Sequence, residues 1–240
     1  GYIDAMAEMA EEYPDVIFLH CSGYLNNDTN FANYFGKMYQ PRYLSGLAAG
    51  AMTDSNKIGY VAAFPIPEVI RGINAFAAGV NEVNPEATVE VVWTFTWFGP
   101  EAETQAANAL LEKGADVLAQ HQDSTATGLA AEAAGAKWIS YNTAYGQDSA
   151  PEAFVTAPVW DWGPYYVNIV EQIIDGTFTT ESYWGGMETG LVSLYDLSSD
   201  VPSDTATLIA EKTEAIIDGT LEVEIVEEEF ISNVIGTVNP

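Results

Sequence analysis

The sequence predicts an α/β protein built on a parallel, doubly wound sheet, and three observations carry that expectation. Short apolar or β-branched runs alternate with helix-length stretches along most of the 240 residues, the βαβα order of a parallel sheet covered on both faces. Prolines open several of the helical stretches and glycines close them. Apolar residues make up 48%, with 6 Trp, 13 Tyr and 10 Phe, which is ample for a packed core. The length suits one large domain or two small ones.

In order along the chain, residues 2–12 have helical composition and stop at Tyr13-Pro14. Val16 to His20 reads as a short buried strand and Phe31 to Phe35 as another. Tyr39 to Met52 is a helix rich in small residues. Lys57 to Ala63 is a strand, followed by a Phe64-Pro65-Ile66-Pro67 corner and a helix from Glu68 to about Val80. Thr88 to Phe95 is a β-branched and aromatic strand, and Pro100 opens a helix that runs to Lys113-Gly114. Ala115 to Gln120, Lys137 to Tyr141 and Phe154 to Val159 are strands. Ser124 to Ala134, Gly163 to Asp175 and Asp204 to Asp218 are helices, each closed by a glycine. Residues 57–142 hold four strands in series, enough for one compact α/β domain, and residues 1–52 read as part of a second.

Thirty-five Asp and Glu against seven Lys and Arg give a net charge of −28. Charged residues total only 18%, so basic residues are depleted more than acidic ones are added. A surface that negative repels phosphate backbones, which excludes nucleic acid as a partner, and it disfavours anionic lipid. The aromatic content rules out disorder. A solvated acidic shell over an ordinary core suits concentrated salt, where repulsion is screened and high charge keeps the protein soluble. Cys21 is the sole cysteine, so no internal disulfide or Cys-rich zinc site forms. Its apolar run suggests a buried, inert thiol. No stretch approaches the length of a membrane span.

Ligands of open parallel sheets bind beyond the carboxyl ends of the strands. The loops to inspect are therefore Phe64–Glu68, Thr96–Gly99, His121–Ser124, Asn142–Tyr145 and Trp160–Gly163. They carry Glu68, Trp97, Phe98, His121, Asp123, Asn142 and Trp160, aromatic faces beside a few hydrogen-bonding groups. That mixture suits a flat, neutral, polar-edged ligand such as a nucleobase or nucleoside, or a sugar stacking its CH face on Trp. The alternative is that the aromatics fill the seam between helices and sheet. Catalytic constellations are thin. His20 lies in an apolar strand and reads as a satisfied core histidine. His121 with Asp123 could act as a base or hold a metal, but no second His or Cys stands nearby. There is no nucleophile elbow, P-loop or dinucleotide fingerprint. Glu222–Glu229 reads as a solvated charge run. No catalytic residue, metal site or cofactor is assigned.

Particular strings carry a resemblance. Tyr34-Phe35-Gly36-Lys37-Met38-Tyr39-Gln40, Arg42-Tyr43-Leu44 and Pro65-Ile66-Pro67-Glu68-Val69-Ile70-Arg71-Gly72-Ile73-Asn74 are the longest. Trp97-Phe98-x-Pro100, Gln120-His121-x-Asp123-Ser124, Trp162-Gly163-Pro164-Tyr165-Tyr166 and Tyr183-Trp184-Gly185-Gly186-Met187 follow in order. Together they resemble the BMP (basic membrane protein, or PnrA-like) family, substrate-binding lipoproteins of ABC transporters for purine nucleosides and related compounds. The resemblance covers nearly the whole chain.

It implies a type I periplasmic-binding-protein fold, two α/β lobes joined by a hinge that close on a ligand between them. Residues 1–54 would belong to the amino-terminal lobe, 55–159 to the carboxy-terminal lobe, and 160–240 to a return segment completing both. It further implies a leader, a lipidated cysteine and leading elements ahead of Gly1, leaving the amino-terminal lobe incomplete in this chain. The implied function is extracellular, lipid-anchored capture of a purine base or nucleoside for an ABC permease, by a monomer and without chemistry. Trp97-Phe98 would stack the base, with Tyr2 from the other lobe and Trp184 from the return segment. Asn142 stands where nucleoside binders carry an Asp for the ribose, and Trp160 where they carry a basic residue, which favours a free base or another small ring. A ligand-sensing receptor lobe and a nucleoside-processing enzyme acting through Asp123 or His121 are the alternatives.

Overall fold

The computed structural model describes residues 2–238. In chain order its elements are α1 (Ile3–Glu12), β1 (Phe18–Cys21), β2 (Phe31–Gly36), α2 (Tyr39–Met52), β3 (Lys57–Ala62), α3 (Pro67–Val83) and β4 (Thr88–Trp93). There follow α4 (Pro100–Glu112), β5 (Val117–Gln120), α5 (Ala126–Ala134), β6 (Lys137–Ile139), α6 (Gly146–Ser149), β7 (Phe154–Thr156) and β8 (Pro158–Trp160). The last group is α7 (Gly163–Asp175), β9 (Tyr183–Gly185), a 3-10 turn (Met187–Thr189), β10 (Val192–Leu194), α8 (Ser203–Ile217) and β11 (Val234–Ile235). The chain forms two compact units. The first takes residues up to Lys37 and then Asp161–Val192, and the second takes Met38–Trp160 and everything from Ser193 on.

The second unit is built on a six-stranded sheet in the order β11-β4-β3-β5-β6-β7, parallel at every pairing. Its central strands are near-continuous apolar runs because helices cover both faces: Ile58, Tyr60, Val61, Leu118, Trp138 and Ile139 are all fully buried. Two glycines set how closely α2 and α3 lie against each other. A Cβ at Gly46 would meet the Phe76 carbonyl oxygen and one at Gly79 the Tyr43 carbonyl oxygen, so only glycine permits that approach. This packing is why 38–54 belongs to the second unit here, whereas the sequence places a boundary at 54/55. The 160–240 segment likewise divides, 161–192 going to the first unit and the remainder to the second. The strand expected over 154–159 is split at Ala157, whose carbonyl accepts from Tyr195 N at 2.8 Å.

The first unit holds a three-stranded parallel sheet, β1-β2-β9. Helix α1 seats Ile3 and Ala10 against Phe31, with Met6, Ala7, Phe18 and Leu25 around them. Buried Asn30 ties the end of that helix down, its Nδ2 donating to the carbonyls of Ala10, Tyr13 and Val16. A ring cluster joins β2 to α7: Tyr34 stacks on Tyr165 at 4.8 Å, lies edge-on to Trp162 at 5.4 Å, and shares a 2.9 Å hydrogen bond with the Tyr166 hydroxyl.

Three local expectations need correcting. Cys21 is exposed rather than buried, because β1 is an edge strand and its last residue lies uncovered. His20 is partly buried, but its Nδ1 has no hydrogen-bond partner, so it is not a satisfied core histidine. The 222–229 run is not only a solvated face. Val223 is buried, Glu227 pairs with Arg71, and Asn74 Nδ2 donates to the carbonyls of Val226 and Glu229.

Candidate functional site

In the second unit the chain leaves β3, lays β4 on one side of it and then β5 on the other. The loops after β3 and β5 therefore diverge at a topological switch point, where a crevice forms outside the strand ends. Glu68 stands in the first turn of α3, placed by the proline corner that starts this helix. His121 follows β5 directly. The two meet, His121 Nε2 lying 3.1 Å from Glu68 Oε2.

Behind them lies Arg42 of α2, fully buried. Its Nη1 donates to the Gln120 carbonyl at 2.7 Å, and its Nη2 lies 3.3 Å from His121 Nδ1. The guanidinium also rests 4.0 Å above the Tyr141 ring, a cation–π contact that partly offsets the desolvated charge. A guanidinium has only donors, so His121 Nδ1 must accept and the imidazole proton sits on Nε2, aimed at Glu68. Burial lowers the His121 pKa, with Arg42 acting in the same sense against the pull of Glu68 and Asp123. His121 is accordingly neutral. Burial tends to raise the Glu68 pKa, but the contact with His121 and the charges of Arg42 and Arg71 outweigh it, and the net shift is downward. Glu68 is held as a carboxylate.

The loop bearing His121 and Asp123 is fastened from beneath. Gln120 Nε2 donates to the carbonyls of Gln122 and Ser124 at 2.8 and 2.6 Å, and Gln120 Oε1 accepts from Trp138 Nε1 at 2.9 Å. Gln122 Nε2 donates to Thr94 Oγ1 at 2.8 Å. Buried Glu103 accepts from Gly99 N and Ser124 Oγ, joining the start of α4 to this loop. Asp123 N donates to the Trp97 carbonyl at 3.0 Å. The Asp123 carboxylate accepts from Asn142 Nδ2, and Asn142 Oδ1 accepts from Trp160 Nε1 at 3.2 Å. Burial raises the Asp123 pKa, against the opposing effects of Asn142 and His121.

The aromatic side is formed by Phe64, which lies 5.3 Å from Trp97, and by Trp97, 6.0 Å from His121. Trp97 remains 42% exposed, so part of the indole is open next to the His121 ring that contacts Glu68. Phe95 and Asn142 have left-handed backbones, φ 55° and 68°. That conformation is costly for non-glycine residues and clusters at functional sites.

Of the sequence-predicted residues, Glu68, Trp97, His121, Asp123, Asn142 and Trp160 form one connected group. Phe98 is on the same loop as Trp97 but is 65% exposed, its backbone N donating to Thr96 Oγ1. Tyr2 and Trp184 belong to the first unit. Tyr2 precedes α1 and lines a shallow groove with Met6, Met9, Leu19 and Tyr34, and Trp184 is half-exposed on β9. Both His121 ring nitrogens are engaged, which leaves neither for a metal. Among the described residues no three His, Cys, Asp or Glu side chains gather to hold one.

Sequence reasoning missed Arg42, Tyr141 and the glutamines beneath the loop. Arg42 offered a signal: in a chain with only seven basic residues, an arginine inside a small-residue apolar helix requires a buried partner.

An α/β unit with aromatics and fixed acceptors at its switch point has the form of a solute-binding lobe, and the fold is the type I periplasmic-binding-protein fold. An ABC transporter solute-binding protein from Conexibacter woesei superposes with a TM-score of 0.73 at 25% identity, over 92% of this chain and 76% of that one. The chain belongs to the PnrA-like ABC transporter substrate-binding protein family, whose model matches residues 1–227. It is 44% identical to TsgA13 of Haloferax volcanii, named as an ABC transporter glucose-binding protein, over 93% of this chain and 56% of that one. It is 40% identical to a purine-binding protein of Brucella abortus, over 90% of this chain and 61% of that one. The chain thus spans little more than half the length of these relatives. No helix among the described residues is long and apolar enough to cross a membrane.

Proposed function

We propose that this chain is the ligand-capturing part of an extracellular, lipid-anchored solute-binding protein that serves an ABC permease, and that its ligand is a purine base or nucleoside. The half-exposed Trp97 indole beside the fixed Glu68 carboxylate carries this reading. A flat heteroaromatic ring can stack on the one while its N–H groups donate to the other. The 40% identity to a purine-binding protein supports it. Asn142 is already committed to Asp123 and Trp160, which favours a free base over a ribose-bearing ligand. The protein binds and releases its ligand unchanged, as a monomer and with no cofactor. The acidic shell and the Haloferax relative support work in concentrated salt.

A sugar is the second reading, favoured by the glucose-binding name of the 44% identical relative and by the suitability of Trp faces and carboxylates for sugar CH and OH groups. A thermal melt in molar salt against adenine, adenosine, guanosine, inosine and glucose separates the two. A ligand present at 100 times its Kd adds about 2.7 kcal/mol. Stabilisation by adenine and not by glucose is the expected result. A shift with glucose alone overturns the purine assignment and leaves the fold standing.

A further inference from the structure

We infer that Arg42 and His121 are positioning residues that present Glu68 as a charged acceptor at neutral pH, so that the captured molecule must offer it an N–H or O–H donor. The inference rests on the ligand-binding reading above and assigns the direction of one of its hydrogen bonds. Arg42 can only donate, and its Nη2 lies 3.3 Å from His121 Nδ1. The histidine proton is thereby sent to Nε2, which donates to Glu68 Oε2 at 3.1 Å. Each link fixes the polarity of the next, from a fully buried cation to a carboxylate whose side chain keeps 19% of its surface open at the strand ends. The other oxygen, Oε1, accepts no hydrogen bond among the described residues.

The surroundings of Glu68 support the same polarity. The two arginines of the chain, Arg42 and Arg71, both act to keep it ionised, and the first turn of α3 adds the favourable end of a helix dipole. Arg42 is itself held over Tyr141 and by the Gln120 carbonyl, so the histidine cannot turn without breaking a buried contact. A ligand group carrying only lone pairs would face an anion with no proton to share. A phosphate or carboxylate would be repelled outright. A donor on neutral ligand makes a charge-assisted hydrogen bond, the stronger kind.

The test is a double-mutant cycle read by calorimetry with adenine and with glucose as probes. Glu68→Gln should weaken binding of the ligand that the wild type takes by about tenfold or more. His121→Leu should do the same, and the double variant should be no weaker than Glu68→Gln alone, because His121 acts only through Glu68. His121→Gln, which keeps an N–H for Glu68, should recover most of the loss. Additive losses, or unchanged affinity in Glu68→Gln, overturn the proposal. The nitrogen NMR resonances of His121 in the wild-type protein supply a readout independent of ligand and of variant folding. A neutral imidazole protonated on Nε2 is expected, and an Nδ1-protonated or cationic ring overturns the relay. If neither probe binds the wild type, the purine and sugar readings both fall, while the relay still stands or falls on this tautomer.

Discussion

The two units use the same parallel-strand grammar with opposite degrees of closure. In the second, the inner strands β3 and β5 of a six-stranded sheet are buried on both faces, and Trp138, Leu118 and Ile58 have no exposed surface. In the first, three strands carry an edge at β1. Helix α7 there buries only Tyr165, while Val167, Val170 and Ile174 stand 59%, 55% and 77% exposed. The difference teaches which part of this chain holds the candidate site on a closed core. The loop bearing His121 and Asp123 is sealed from beneath by buried Gln120 and Gln122, whereas Tyr2 and Trp184 stand on the smaller unit. Stability measured locally should therefore be unequal.

The largest effect should come from the sealed core. Trp138→Ala removes a fully buried indole and frees the Gln120 side chain that it holds. It should cost about 3–5 kcal/mol in denaturant unfolding. A cost under 1 kcal/mol would mean that the second unit is much less tightly packed than its burial implies. Native-state hydrogen exchange sharpens the same contrast. Amides of β3 and β5 should exchange only through the largest openings, and those of β1 and α7 through smaller ones. Equal protection in both units would remove the contrast.

Next in size is Trp97→Ala. The indole is 42% exposed, so its loss should change stability by no more than about 0.5 kcal/mol while costing about 1–3 kcal/mol of ligand binding through lost stacking. The reverse pattern, lost stability with binding intact, would make Trp97 a filler of the helix–sheet seam.

A smaller effect, about 1 kcal/mol, is expected for Glu68→Gln on the stability of the unliganded protein, and it should depend on pH. The folded pKa of Glu68 is depressed below its ordinary value, against the effect of burial, by His121, Arg42 and Arg71. The stabilisation is thus fully present above the unfolded carboxylate pKa of about 4.3 and is lost as pH falls through the lower folded value. Wild type and variant should differ at pH 7 and converge in acid. A difference that grows on acidification would reverse the assigned shift.

How much of this was legible in the sequence follows from what kind of signal each feature leaves. The regular elements of the second unit were, since runs such as Lys57–Ala62 and Thr88–Trp93 are six residues rich in apolar and β-branched side chains, separated by helix-length stretches. The three-residue strands β9 and β10 and the two-residue β11 were not, because such segments are too short for any periodicity to show. The boundary after Lys37 escaped because what moves α2 into the second unit is its close packing on α3, a tertiary fact encoded in Gly46 and Gly79 rather than in a linker. The strand-end rule found Glu68, His121 and Asp123 because it needs only topology. It could not find Arg42, which reaches the site from a helix 79 residues away from His121 in sequence.

The smallest predicted effect tests the comparison at its open end. Ile174 lies on the apolar stripe of α7 and is 77% exposed, so Ile174→Thr removes little buried surface and should shift stability by no more than about 0.5 kcal/mol. Its neighbours on the stripe, Val167 and Val170, should behave alike. Exposed apolar side chains gathered on one helix face are of the kind that marks a surface covered by another segment or protein. If any of these substitutions costs more than about 1 kcal/mol in this chain, the stripe is covered in solution, for instance by self-association, and the cost should then rise with protein concentration. A small cost that does not depend on concentration would establish that α7 is held in place by Tyr165 and the ring cluster on β2 alone.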